Sequence, residues 1–264
     1  MDRALTSQQH RGAAPEDAAR RRQLAALVGW AALLAFKAPP ARAGAQQYEE
    51  LSAAVKVALS AAIADRREPQ PLWESLEYKI AWLTAMADKL PLRHLPNYEL
   101  RREFLHTVRY EAQRAGLEPE LVLGLIQVES GFRRYAVSSA GARGYMQVMP
   151  FWTRVIGDGD PGALFDMVSN IRYGCVILRH YLDMEKGDLF LALGRYNGSR
   201  GRDPYPKAVL AAWKRWEFKR PPHLPPPSAA AARVADEGDP PAAAPLQPPA
   251  IRPPAPAASP AAGR

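Results

Sequence analysis

Apolar residues recur at three- and four-residue spacing over most of the chain between residues 46 and 219. Such spacing places them on one side of an α-helix. Three stripes predict helices over Gln46–Arg67, Leu72–Leu90 and Tyr98–Ala115. Their apolar positions are, in order, Leu51, Val55, Leu59 and Ile63, then Leu76, Ile80, Leu83 and Met86, then Leu100, Phe104 and Val108. Since no strict alternation runs long enough for a sizeable sheet, the pattern predicts a mainly helical fold.

A fourth helix is predicted to begin at Leu117–Glu120, where a proline and acidic residues suit a first helical turn, and to stop at Gly131. Glu129 ends its apolar stripe, which is formed by Val122, Leu125 and Ile126. Apolar packing disfavours a charged carboxylate and can raise a glutamate pKa by about two units. Such a group can hold and donate a proton at neutral pH, as cleavage of a glycosidic bond requires. A plain helix cap or salt bridge is the alternative interpretation of Glu129.

The residues after Glu129 have the composition of a carbohydrate-binding loop. Glycine and alanine are frequent between 131 and 144, which lets a ligand approach the backbone closely. Neutral side chains that can bind hydroxyl and acetamido groups are Ser130, Ser138 and Gln147. Flat apolar faces suited to sugar rings come from Phe132, Tyr145, Phe151 and Trp152.

Four motifs then occur in a fixed order along the chain. They are Glu129-Ser130, the segment GARGYMQVMP at 141–150, Leu164-Phe165-Asp166 with Asn170-Ile171 and Gly174, and Arg195-Tyr196-Asn197-Gly198. In this order they resemble the soluble lytic transglycosylase (SLT) domain, a lysozyme-like fold that cleaves bacterial peptidoglycan. The resemblance covers about residues 105–216 and implies a mainly α (α+β lysozyme-like) fold, a bundle-like core around a glycan-binding groove with little or no sheet.

The resemblance also implies roles for individual residues. Glu129 would be the only catalytic acid/base, and Tyr196 would lie close to it. The implied substrate-binding residues are Ser138, Gln147, Met149, Tyr196 and Asn197, and the composition of the loop adds Ser130 and Tyr145 to the predicted substrate-binding set. Independently of the family, Tyr196 continues the stripe of Leu189, Ala192 and Leu193, so its side chain should point inward and its hydroxyl should find a buried partner. Asn170, at the start of a helix predicted over 171–184, would either cap that helix or contact ligand.

Glycoside hydrolases usually need a second carboxylate, and the motifs offer none. The nearby candidates are Asp158, Asp160 and Asp166, of which the first two belong to a predicted turn. The family instead uses the substrate: the acetamido group of N-acetylmuramic acid stabilises the charge at C1, and its C6 hydroxyl closes a 1,6-anhydro ring. Two alternatives remain, which are a goose-type lysozyme that hydrolyses the bond and a non-catalytic peptidoglycan-binding module.

Charge and cysteine content narrow the function further. The 264 residues carry 35 Lys and Arg against 27 Asp and Glu, a net charge of +8, which favours an anionic partner such as nucleic acid, anionic lipid or an acidic wall polymer. Peptidoglycan, which bears carboxylates, is the expected partner, and a nucleic-acid binder fits poorly because no binding motif occurs. The single cysteine, Cys175, excludes an intramolecular disulfide and is expected to be a small buried apolar residue. No metal or organic cofactor is implied.

The two ends of the chain differ from its centre. Arginines 20–22, an apolar run over 24–36 and small residues at 41–45 predict a signal peptide over residues 1–45 and a periplasmic location. The apolar run is too short for a permanent membrane anchor. Because 14 of the 26 prolines follow Arg220, residues 220–264 are predicted to be a disordered tail. Between them we expect a helical segment at 46–95 that braces the core, and a catalytic domain at 96–219, in a monomeric protein.

Overall fold

The structure is a computed structural model that describes residues 46–65 and 67–224. The predicted signal peptide and all of the predicted tail beyond residue 224 lie outside these ranges. The described residues form eight α-helices, α1 to α8, in this order: Ala53–Ala64, Leu76–Lys89, Tyr98–Arg114, Pro119–Glu129, Phe151–Ile156, Met167–Met184, Leu189–Asn197 and Pro204–Trp216. A short 3₁₀-helix at Pro161–Phe165 precedes α6.

The prediction of a mainly helical fold is confirmed. Within residues 46–65 and 67–224 the only β-pairing is a set of isolated antiparallel bridges, from Arg143 to Val137 and to Val148. They close a small loop between α4 and α5 and do not form a sheet. No helix in the described part of the chain is long and apolar enough to cross a membrane.

Helix α4 lies at the centre of the core and packs most extensively on α8. Its predicted apolar positions Val122, Leu125 and Ile126 are fully buried. The two helices approach closely at Gly124, where an added Cβ would lie 2.7 Å from the backbone nitrogen of Trp213. The helix starts with Pro119 in its first turn and ends at Glu129, as its composition predicts.

The predicted buried face of α2 is partly wrong. Leu76 and Ile80 are exposed, while Tyr78 and Trp82 are buried with Leu83. The large aromatic side chains determine the rotation of the helix because they bury more apolar area than the aliphatic ones.

Helix α1 packs on α5 and α6. Arg172 of α6 pairs with the buried carboxylate of Glu111 on α3 at 2.8 Å, and it also donates to the backbone carbonyl of Asp65, just after α1. Arg114 adds a bond to the carbonyl of Ala62 at 3.2 Å. These bonds satisfy carbonyl groups at the end of α1, which have no partner within the helix, and they join α1 to the core.

The packed chain continues past α8. Leu224 is buried, and the guanidinium of Arg220 lies 4.8 Å from the ring centre of Tyr78. Cys175 is fully buried in α6, as expected, and burial raises the pKa of its thiol well above the ordinary value.

Candidate active site

Glu129 is the last residue of α4, and the chain turns sharply immediately after it. Gly131 and Phe132 both have positive φ angles, 57° and 66°. The side chain of Phe132 packs into the core, with its ring centre 5.4 Å from that of Trp216. This turn ends the helix directly after Glu129, which is the last residue of the apolar stripe. Glu129 as a residue has intermediate exposure.

The carboxyl of Glu129 has the protonation behaviour expected of a general acid. Desolvation raises its pKa from 4.5 to about 8, and a hydrogen bond donated by Tyr205 opposes part of that rise. The Tyr205 hydroxyl donates to Oε1 of Glu129. Since this phenol is itself buried and its pKa is raised well above 10, it stays protonated and remains a donor. At neutral pH the carboxyl is therefore mostly protonated.

Tyr205 is a residue that sequence reasoning missed. It lies in the first turn of α8, between Pro204 and Pro206, and only the packing of α8 on α4 brings it to Glu129. The prolines on either side of Tyr205 suit a helix start, but the sequence does not indicate which residue its hydroxyl contacts. Tyr196, the tyrosine expected beside Glu129, is close enough for a charge there to raise its pKa. Its hydroxyl donates elsewhere, to the carbonyl of Met146 at 2.7 Å.

The loop over residues 136–149 has a defined conformation set by its own hydrogen bonds. The hydroxyl of Ser138 accepts from the backbone N–H of Ala142 at 3.1 Å, and the backbones of Arg143 and Val148 exchange two bonds, at 2.9 and 3.0 Å. Gln147 has a positive φ of 50°, and its amide donates to the carbonyls of Ala136 at 3.1 Å and Gly144 at 2.9 Å. Ser138 and Gln147 thus both hold the loop in shape.

Asn170 does not cap α6. The cap is Asp166, whose carboxylate accepts from Ser169 at 2.9 Å, and α6 begins four residues earlier than predicted. Asn170 lies within the helix, is 1% exposed, and accepts from the backbone of Met146 at 2.8 Å. Its amide also donates to the carbonyls of Arg143 and Leu164, at 2.9 and 2.8 Å. The sequence left open a cap or a ligand contact, and Asn170 instead fastens the loop to α6.

The remaining predicted site residues lie at different depths. Tyr145 is buried against Phe104, with ring centres 5.0 Å apart, and desolvation raises its pKa to about 12. Ser130 is buried, and its hydroxyl donates to the carbonyl of Ile126 at 3.2 Å. Met149 retains intermediate exposure, and Asn197, the last residue of α7, is 7% exposed. Ser130 and Tyr145 are therefore less accessible to a ligand than Met149.

Most of the arginines near the motifs have intramolecular partners. Arg143 donates to the carbonyl of Pro161 at 2.8 Å, Arg134 donates to that of Phe165 at 3.0 Å, and Arg200 pairs with Glu185 at 2.6 Å. Arg133 and Arg154 are exposed and are the better candidates for contact with an anionic polymer.

The helical fold, with a desolvated glutamate at the end of α4 and the loop that follows it, agrees with the resemblance that the motifs indicate. Residues 106–209 match the family model described as the transglycosylase SLT domain, so this part of the chain is similar to SLT domains.

Several curated relatives carry the same name. The membrane-bound lytic murein transglycosylase C of Actinobacillus pleuropneumoniae serotype 5b (strain L20) is 40% identical over 105 residues, which cover 36% of this chain and 28% of that protein. The protein of the same name from Haemophilus influenzae (strain PittEE) is 34% identical over 115 residues, 38% of this chain and 32% of its own length. The chain thus matches about a third or less of the length of these relatives.

Proposed function

We propose that this protein is a peptidoglycan lytic transglycosylase that cleaves the β-1,4 bond between N-acetylmuramic acid and N-acetylglucosamine. The SLT match over residues 106–209 and the names of the relatives support the substrate and the class of reaction. The observation that carries the proposal is the pKa of Glu129, raised to about 8, because an acid that is protonated at neutral pH can protonate a glycosidic oxygen.

In the first step, Glu129 gives its proton to the bridging oxygen as the bond between that oxygen and C1 of the muramoyl residue breaks. The acetamido oxygen of the same sugar compensates the positive charge that develops at C1. Glu129 becomes a carboxylate in surroundings that disfavour charge. The hydrogen bond from Tyr205 stabilises the ionised form at this stage.

In the second step, the Glu129 carboxylate takes the proton of the C6 hydroxyl while O6 bonds to C1. The products are a 1,6-anhydromuramoyl end and a free N-acetylglucosamine end, and Glu129 is protonated again. No water is consumed. The high pKa of Glu129 favours this return of the proton as well.

The positions of the other acids favour this route over goose-type hydrolysis, which would need a carboxylate to hold water. Among the described residues, no aspartate or glutamate contributes to the pKa shift of Glu129. Asp158 accepts from the backbone of Asp160 at 3.1 Å, Asp160 from that of Gly162 at 2.7 Å, and Asp166 caps α6. Each of the three candidate acids thus serves local structure. A non-catalytic module would have no use for the protonated acid at Glu129.

The direct test is the digestion of purified sacculi by the Glu129→Gln variant. Glutamine keeps the size of the side chain and a hydrogen bond with Tyr205 but cannot donate or accept the proton. We expect turnover to fall by about 10²- to 10⁴-fold, as for loss of a general acid. Glu68→Gln, at an exposed position, is the matched control and should retain full activity. Undiminished digestion by Glu129→Gln would contradict the proposal.

We further propose that the protein acts on peptidoglycan strands in the periplasm as an exported monomer without a permanent anchor. The expected export signal over residues 1–45 supports this location. The relatives are named membrane-bound, so cell fractionation is the informative experiment. Recovery of the protein in the soluble periplasmic fraction is expected, and its retention in washed membranes would contradict it.

A further inference from the structure

The chain that precedes α1 returns to the candidate active site. Gln46 is 3% exposed, although residues 47 to 50 are exposed and the first helix begins only at Ala53. Burial of a glutamine in a segment without regular structure requires specific partners, because an unsatisfied buried amide is costly. The partners of Gln46 are residues of the site.

The amide of Gln46 makes two polar contacts there. Its Oε1 accepts from the backbone N–H of Met149 at 3.2 Å. The side chain also hydrogen-bonds the hydroxyl of Tyr196 and thereby lowers the pKa of that phenol, opposing the larger rise from burial. An N–H donated to the phenol oxygen has this effect. Met149 and Tyr196 are both predicted substrate-binding residues. The amide of Gln46 therefore occupies polar groups of the predicted substrate site.

Two further contacts hold this segment, and both are weak. The ring of Tyr48 meets the edge of Phe151 with centres 5.8 Å apart, but Tyr48 remains 60% exposed. Glu49 pairs with Arg195 at 2.5 Å, with 45% and 21% of the two side chains exposed. An ion pair that water reaches in this way contributes little to stability. The segment can therefore leave the site without unfolding the core.

We infer that residues Gln46–Glu50, the N-terminal strap, cover the predicted substrate-binding residues Met149 and Tyr196 and compete with the glycan for them. The primary amide of Gln46 presents a carbonyl to the Met149 N–H, which is what an acetamido or peptide amide of a peptidoglycan strand would present. The strap must therefore be displaced before that amide can bind. The identity of the competing ligand rests on the proposed function, whereas the contacts of the strap do not.

The test compares Gln46→Ala with Gln47→Ala, a neighbouring glutamine that is exposed. Removing one hydrogen-bonded group should weaken the strap by about fivefold in its equilibrium. With soluble peptidoglycan strands as substrate, we expect Gln46→Ala to lower the apparent KM by about that factor with kcat unchanged, because saturating substrate displaces the strap in either protein. Gln47→Ala should leave both unchanged. A raised KM in Gln46→Ala would mean that Gln46 helps to bind substrate. An unchanged KM would mean that Gln46 does not compete with substrate. Either result overturns the inference.

Two further measurements make the inference independent of turnover and of Gln46. Binding of the N-acetylglucosamine tetramer is measured by calorimetry in a Glu129→Gln background, with and without Gln46→Ala. Tyr48→Ala loosens the strap without touching Met149 or Tyr196, and both changes should tighten tetramer binding. If the Glu129→Gln variant digests sacculi as well as the unaltered protein but tetramer binding still tightens, the proposed function is wrong and the inference about the strap is supported. If binding weakens or is unchanged in both variants, the strap is refuted.

Discussion

The protonation state of Glu129 results from two opposing contributions. Desolvation at the end of the apolar stripe raises the pKa to about 8 even though Tyr205 donates to the carboxylate and lowers it. In the proposed mechanism the same phenol lowers the cost of the ionised form that follows proton transfer, and Glu129 acts first as an acid and then as a base.

The pH dependence of kcat/KM should follow from this balance. Because the free enzyme must hold the proton on Glu129, activity should fall as pH rises through about 8. Tyr205→Phe removes the donor that favours the ionised form, so it should move this alkaline limb to higher pH. A limb that stays in place, or that moves towards acid, would contradict the assignment of Tyr205.

Stability should depend on the same carboxyl. A raised native pKa contributes stability that is fully present below the ordinary value of 4.5 and is lost as pH rises through about 8. Glu129→Gln cannot ionise, so its melting temperature should match that of the unaltered protein near pH 4.5 and exceed it at about pH 9. Equal melting temperatures at both pH values would mean that the carboxyl is not desolvated.

At the residue scale, what could be predicted from the sequence was limited by how far apart the partners lie in the chain. Glu129 and the inward direction of Tyr196 follow from periodicity within single helices, and a buried acceptor for the Tyr196 hydroxyl is confirmed. The contact of Tyr205 with Glu129 joins residues 76 positions apart. Helix periodicity carries no information about such a pair.

At the scale of elements, the loop over 136–149 depends on its attachment to α6 through Asn170. Gly144 lies against this attachment: it has a φ of 75°, and an added Cβ would come within 2.3 Å of the Asn170 amide nitrogen and 2.4 Å of the Leu164 carbonyl. Gly141 has a similar φ of 86°, but an added Cβ would meet nothing within 4 Å. Alanine substitutions at the two glycines therefore distinguish the cost of backbone strain alone, at Gly141, from the added cost of a steric clash with Asn170 and Leu164, at Gly144.

Gly144→Ala should therefore destabilise the protein by at least about 3 kcal/mol, because strain adds to the loss of Asn170 hydrogen bonds. Gly141→Ala should cost only about 1–2 kcal/mol, from strain alone. Urea unfolding followed by circular dichroism measures both. Equal losses in the two variants would contradict the role assigned to Asn170.

The positions of the helices could be predicted from the sequence better than which face of each helix is buried. The fourth predicted helix matches Pro119–Glu129 closely because proline and glycine mark its ends. In α2 the pattern of aliphatic residues suggested burial of Leu76 and Ile80, which are exposed. Periodicity does not weigh side-chain size, and Trp82 has the larger apolar surface to bury.

At the scale of the whole molecule, a buried ion pair joins α3 to α6 next to the end of α1. Glu111 and Arg172 have side chains that are only 1% and 6% exposed. Glu111→Ala leaves the guanidinium of Arg172 without its carboxylate, which should cost about 3–5 kcal/mol. Glu99→Ala on the same helix breaks an exposed pair with Arg102 and should cost no more than about 1 kcal/mol. Similar losses of stability in urea unfolding of the two variants would contradict the role assigned to the Glu111–Arg172 pair.

The order of the four motifs was enough to predict the resemblance to SLT domains, which the family-model match over residues 106–209 supports. The strap was not predictable. Gln46 and Met149 are separated by 103 positions. The helix predicted over Gln46–Arg67 included the strap, and this start is wrong because α1 begins only at Ala53.

The mass of the products tests the central claim most directly. Peptidoglycan strands are digested with the purified protein in water enriched in heavy oxygen, and the released muropeptides are analysed by mass spectrometry. Transglycosylation by Glu129 predicts 1,6-anhydro ends that are lighter than the hydrolysed products by one water and carry no label. Reducing ends that have incorporated labelled oxygen would contradict the account and establish hydrolysis instead.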